Sequence, residues 1–237
     1  MMVDPFSVTS EGLKPHWNTL MTELAAHLDP RTSRVALIPT VVGNQIITSF
    51  AGDVVRLAGR NRGNPTPVAP LRAVGRDWEV WLGYREVWTL LTGVERFVFS
   101  SADLTIFFAI AQSEDFQQIL RAEWTGQSKD VDGWSFKPSD AGHPHWQIDA
   151  IEVFRQDREL EAARQLLRET EPREFGEPGP VSIPFPPWFE IARMHLASGM
   201  RPWLDDLIAH GPSDLAAVRA WVVKTVYLLN IELARLP

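Results

Sequence analysis

The chain has 237 residues, 45% of them hydrophobic and 22% charged, with a formal net charge of −7. These values fit one sizeable core and exclude extensive disorder. The lack of cysteine excludes disulfides, thiol catalysis, iron–sulfur clusters and cysteine-ligated zinc, and the acidic balance is opposite to that of a protein built chiefly to wrap nucleic acid.

Met1–Leu13 contains Asp4, Pro5 and Glu11 and no apolar segment of the kind a secretory signal needs. Leu13, Trp17, Leu20, Leu24 and Leu28 follow at helical spacing and predict a first helix, ended by Asp29–Pro30. Arg34–Ile38 reads as a short strand. Val42, Ile46, Phe50, Val54 and Leu57 repeat every three or four residues and predict a second helix to about Gly59. From Arg56 to Arg76 the chain carries five arginines and no acid, among Gly59, Gly63, Pro65, Pro67 and Pro70. This stretch reads as an exposed loop, with Arg60, Arg62, Arg72 and Arg76 as candidates for contact with phosphate or an acidic partner. Trp78, Trp81, Leu82, Trp88 and Leu91 predict a third helix, capped by Gly93.

The texture then changes. Arg96–Ser100 and Leu104–Ala111 predict a hairpin turning at Ser-Ser-Ala-Asp. Ile119–Thr125 and His143–Ala150 alternate apolar and polar residues, as half-buried strands do. Residues 155–173 read as a charge-rich helix, and further helices are expected at Trp188–Ala197 and Pro202–His210. Ser213 is the expected N-cap of a final helix whose stripe runs Leu215, Val218, Val222, Val226, Leu229, Leu233 and Leu236. The expected fold is therefore one α+β domain over 1–237: helical at 13–92, a mainly antiparallel sheet at about 95–154, helical again at 155–237.

The phosphate-loop, dinucleotide, zinc-protease, nucleophile-elbow and EF-hand signatures are all absent from the sequence. One constellation carries chemistry. On an extended strand, His143, His145 and Asp149 share a face, and two imidazoles with a carboxylate suit a divalent transition metal. Glu123, on the polar face of the preceding strand, is the candidate fourth ligand or general base. The competing view is a solvated strand face.

Two functional readings follow. The first is a non-catalytic binding or accessory subunit with no cofactor, meeting a protein partner or a second copy of itself; ten tryptophans and twelve phenylalanines support it. The alternative is a metal-dependent hydrolase or nuclease, with the arginine loop gripping phosphate. Apolar stretches such as Ile106–Ala111 fall far short of the roughly 18 residues that span a bilayer, and the expected location is the cytoplasm.

Overall fold

The computed structural model describes residues 5–60, 64–130, 133–136, 144–148 and 211–235. The chain opens with β1 (Ser7–Val8) and helix α1 (Ser10–Ala25), then a tight helical turn at Pro30–Arg34. Strands β2 (Ala36–Val42), β3 (Gln45–Ala51), β4 (Arg56–Ala58) and β5 (Thr66–Val74) follow. Two long strands, β6 (Trp78–Leu90) and β7 (Phe97–Ile110), lead to β8 (Gln117–Thr125). A small hairpin of β9 (Ser128–Asp130) and β10 (Gly133–Ser135) precedes β11 (His145–Ile148), and α2 (Leu215–Leu233) lies near the end of the chain.

Nine of these strands form one antiparallel sheet whose main path runs β11-β8-β7-β6-β3-β2. Strand β6 is long enough to hold two neighbours on one edge. Its first half pairs with β5, from Trp78↔Val74 to Gly83↔Val68, and its second half pairs with β3, from Arg85↔Ser49 to Thr89↔Gln45. Strand β5 accommodates Pro70 at a register shift, where a missing ladder donor costs least.

Both helices lie on one face. Leu13, Trp17, Leu20 and Leu24 of α1 share a core with Val218, Val222, Val226 and Leu229 of α2 and with Phe50, Tyr84, Trp88, Phe99 and Trp124 of the sheet. The other face carries a smaller cluster of Ala58, Val68, Trp81, Phe107 and Ala109.

This architecture overturns the expected order of N-terminal helices, central sheet and C-terminal helices. The protein is mostly antiparallel sheet among the described residues, with one N-terminal and one C-terminal helix; the stretches expected as second and third helices, about Val42–Gly59 and Trp78–Leu91, fall mainly in β3, β4 and β6, while the short strand expected at Arg34–Ile38 overlaps β2. The reason is geometric. Residues four apart share a face in a helix, but they also share a face in a strand, where the period is two. Val42, Ile46 and Phe50 fit either pattern. What decides is β-branched and aromatic composition, Gln-Ile-Ile-Thr-Ser-Phe in β3 and Trp-Glu-Val-Trp-Leu in β6. Gly43 then turns β2 into β3 at φ +61°, and Asn44 has no positive φ, the arrangement of a two-residue type II′ hairpin.

Three local expectations are also corrected. The arginine-rich stretch is not one loop, because Arg56 lies in β4 and Arg72 in β5. Ser100–Asp103 is no turn, since β7 runs straight through it. The N-cap of α2 is Asp214 rather than Ser213: its Oδ1 accepts the Ala217 N–H at 2.7 Å. The helices expected at 155–173, 188–197 and 202–210 lie outside the described residues.

Candidate functional site

Opposite the helices, the register of four strands lines up one row of polar side chains. Arg85 of β6 stands across from Asp103 of β7, Asp103 from Glu123 of β8, and Glu123 from His145 of β11. The next row on this face places Thr105 across from Arg121 and Arg121 across from Gln147. Arg60, just beyond β4, reaches the same row.

The contacts interlock. Arg60 Nη2 lies 3.3 Å from Asp103 Oδ1, and Arg85 Nη1 lies 4.0 Å from its other oxygen. Arg121 Nη1 donates to Glu123 Oε1 at 2.8 Å while its Nη2 donates to Gln147 Oε1. His145 Nε2 sits 3.6 Å from Glu123 Oε2. Burial pushes the Asp103 carboxyl above the ordinary aspartate value, and Arg60 and Arg85 only partly pull it back. Arg60 Nε and Thr105 Oγ1 are buried with no hydrogen-bond partner among the described residues.

Of the residues singled out in the sequence, the structure brings Arg60, Glu123 and His145 into this row. Arg72 goes elsewhere: its Nη1 donates to the Asn230 carbonyl near the C-terminus of α2 at 2.8 Å. Arg76 is exposed in the turn between β5 and β6. Arg62, His143 and Asp149 lie outside the described residues. Among the described residues no three histidine or carboxylate side chains converge to hold a metal ion. The row places three guanidiniums around two carboxylates, a balance that favours an anion over a divalent cation.

Sequence reasoning missed a second polar centre, on the helix side of the sheet. Glu86 is fully buried in β6, and its carboxylate accepts from His16 Nε2 at 3.1 and 3.2 Å, from Trp17 Nε1 at 2.8 Å, and from Tyr84 Oη and Trp88 Nε1. Arg219 of α2 points Nη1 at His16 Nδ1, 3.4 Å away. A guanidinium only donates, so Nδ1 accepts and the proton facing Glu86 sits on Nε2. Burial pushes the Glu86 carboxyl up, but the hydrogen bonds donated by His16, Tyr84 and Trp88 outweigh it and hold the group below the ordinary carboxylate range. Every donor around it is satisfied, so the centre ties α1 to the sheet.

The third feature is the edge strand β2. Six of its seven residues are exposed, including Ile38 at 50%, Val41 at 73% and Val42 at 54%, and none is charged. Val42 and Gln45 close the two-residue turn and exchange hydrogen bonds, so along β2 the inward and outward backbone groups alternate from that pair. Leu37, Pro39 and Val41 therefore turn their backbone groups outward. Pro39 lacks a donor there, the usual placement for proline on an edge.

No family model, curated protein or solved structure matches the chain. Among the described residues, no helix is long and apolar enough to cross a membrane.

Proposed function

We propose that the protein is a non-catalytic accessory or binding subunit that engages an extended segment of a partner protein along β2. The observation that carries this reading is the uncharged, exposed edge of β2, with Ile38, Val41 and Val42 solvated along one short strand. Long apolar edges invite strand addition, and of the features that blunt an edge β2 has one proline but no charged residue. Pro39 removes the central outward donor, so the ladder offers the outward N–H groups of Leu37 and Val41 and three outward carbonyls. That limits pairing to strands in a compatible register. The charged row supports a non-catalytic role, because guanidiniums already occupy both carboxylates. The cysteine-free composition is compatible with work in the cytoplasm.

The test is a pair of charge substitutions, Ile38→Lys and Val41→Lys, in the full chain. Wild type should co-purify with a defined partner from its native host in fixed stoichiometry, and the double variant should lose it while keeping its melting temperature. A larger particle mass of purified wild type in light scattering, lost in the variant, would identify the partner strand as β2 of a second copy. Equal behaviour of both proteins in both measurements would overturn the reading.

The metal-dependent alternative retains one supporting contact, that between Glu123 and His145. Metal content after chelator-free purification, compared between wild type and His145→Ala, tests it.

A further inference from the structure

At the end of the sheet where β2 turns into β3, the ends of β6, β7 and β8 and the β9–β10 hairpin enclose a cavity of about 650 Å³. That volume falls within the span of small-molecule sites, roughly 300–1,000 Å³. A neighbouring cleft of about 460 Å³ shares Asn44, Leu90 and Thr92 with it, so the hollow continues past the end of β6.

Gly126 makes the enclosure possible. A Cβ at this position would lie 2.2 Å from the Phe99 carbonyl oxygen, and the Gly126 N–H donates to the Ser100 carbonyl at 2.8 Å. Only glycine lets the chain leave β8 pressed against the end of β7. From there it forms the β9–β10 hairpin, in which Trp134 stands directly across from Lys129, and both side chains line the cavity.

The backbone around the cavity is largely committed. The Leu90 N–H donates to the Asn44 carbonyl and the Leu91 N–H to the Arg96 carbonyl, each at 2.8 Å. An extended peptide would find these donors closed. Side-chain groups remain. Thr89 Oγ1 and Ser100 Oγ lie 2.7 Å apart and share one proton, and Gln45 Nε2 donates to Thr89 Oγ1 at 3.4 Å, leaving one hydroxyl proton and the remaining lone pairs to offer. The side-chain amides of Asn44 and Gln127 also line the cavity. Lys129 is the one charged side chain among the described lining residues. Hydroxyls and amides both donate and accept, which is what a ligand rich in hydroxyl groups requires. A half-exposed tryptophan at the rim adds an apolar plate for the C–H face of a ring.

We infer that this cavity binds a saccharide of more than one ring, with Trp134 packing on a ring face and Lys129 meeting an acidic substituent. The surface is separate from the outer edge of β2, so its fate in an experiment does not depend on partner binding there.

The probes are digalacturonate as an acidic disaccharide and cellobiose as a neutral one, measured by calorimetry and saturation-transfer NMR, with a printed glycan array for breadth. The acidic disaccharide should bind more tightly than the neutral one. Trp134→Ala should weaken both by about tenfold or more, equivalent to about 1.4 kcal/mol, and Trp134→Phe should recover part of the loss. Lys129→Ala should erase the acidic preference and leave neutral binding in place. Absence of binding to both disaccharides and to every glycan on the array would overturn the inference. So would binding that is unchanged in a folded Trp134→Ala protein. If that variant does not fold, Gln127→Ala and Lys129→Ala carry the test, and unchanged affinity in both overturns it.

Discussion

Glu86 shows what a single buried charge demands of its surroundings. An ionised carboxylate is stable in a core only when its oxygens are saturated with donors, and here His16, Trp17, Tyr84 and Trp88 supply them. Truncation to alanine strands four donors in an apolar core. Glu86→Ala should therefore cost about 3–5 kcal/mol in a denaturant melt. A loss below about 1 kcal/mol, the range of ordinary surface changes, would mean that water replaces the carboxylate. The group's pH behaviour has a defined sign. Its folded pKa is depressed, so its contribution is complete above the unfolded value of about 4.3 and disappears as pH falls through the folded value. Asp103 acts oppositely: its pKa is raised, so its contribution is lost as pH rises through the folded value. Acid titration of wild type alone mixes the two. The comparison to make is wild type against Glu86→Gln, and the variant should show a smaller fall in stability below about pH 4.3. This centre was legible in principle. Tyr84, Glu86 and Trp88 alternate along one strand face, and a glutamate between two hydrogen-bonding aromatics on an otherwise apolar face of a strand marks a buried carboxylate. Reading the segment as a helix scattered the three residues around a cylinder and hid the pattern.

Elements were legible where one periodicity fits and illegible where two do. The stripe Val218, Val222, Val226, Leu229 advances in the three-to-four rhythm of α2, and its leucines and valines sit in the core. Leu229 is fully buried, and Leu229→Ala should cost about 2–5 kcal/mol in the same melt. A change within error would mean the cavity refills by collapse of α2 onto the sheet. Strand β6 defeats pattern reading for another reason. From Val80 to Tyr84 every residue is buried, so the alternation that identifies a strand is absent, whereas both halves of β7 read as strand and only the turn expected between them is wrong. The Glu123–His145 pairing was open to sequence reasoning because β8 and β11 each keep one polar face. Arg60 reaching Asp103 was not, since that contact depends on β4 and β5 being strands. Close approach of backbone to backbone also leaves no trace in periodicity. Gly126→Ala drives a methyl into the Phe99 carbonyl, and neither atom can move without shifting β7 or β8. The expected loss is about 1–3 kcal/mol, typical of overpacking. Unchanged stability would show that the exit from β8 can be rebuilt.

At the scale of the whole molecule, the two ends of the described chain close on each other across the sheet. Asn230 Nδ2 donates to the His27 carbonyl at 2.6 Å, Arg219 faces His16, and the Trp124 and Trp221 rings meet edge to face with centroids 5.9 Å apart. The first two of these contacts each span 203 residues of sequence, and closing so long a loop is costly before the sheet has formed, which argues for the helices as a late clamp on a central pair of strands. Amide exchange should reflect that order. Amides of β6 and β7, the longest strands and hydrogen-bonded on both edges, should exchange most slowly, and the terminal strands β2 and β11 fastest. The decisive comparison is a chain ending at residue 210, which lacks α2. Its loss uncovers Leu13, Leu20, Leu24 and Trp124 together and removes the Arg219 donor behind His16 and Glu86. At about 25 cal/mol per Å², exposing a helix-sized apolar face consumes most of the roughly 5–15 kcal/mol that holds a domain folded. Protection in β6 and β7 should then collapse along with that of the edges, because one core serves both helices and nothing on the helix face remains closed. If β6 and β7 stay slow in the shortened chain, the sheet is self-supporting on α1 alone. In that outcome α2 would be a separable cover over the Glu86 centre, and its Arg219 contact a way to open and close it.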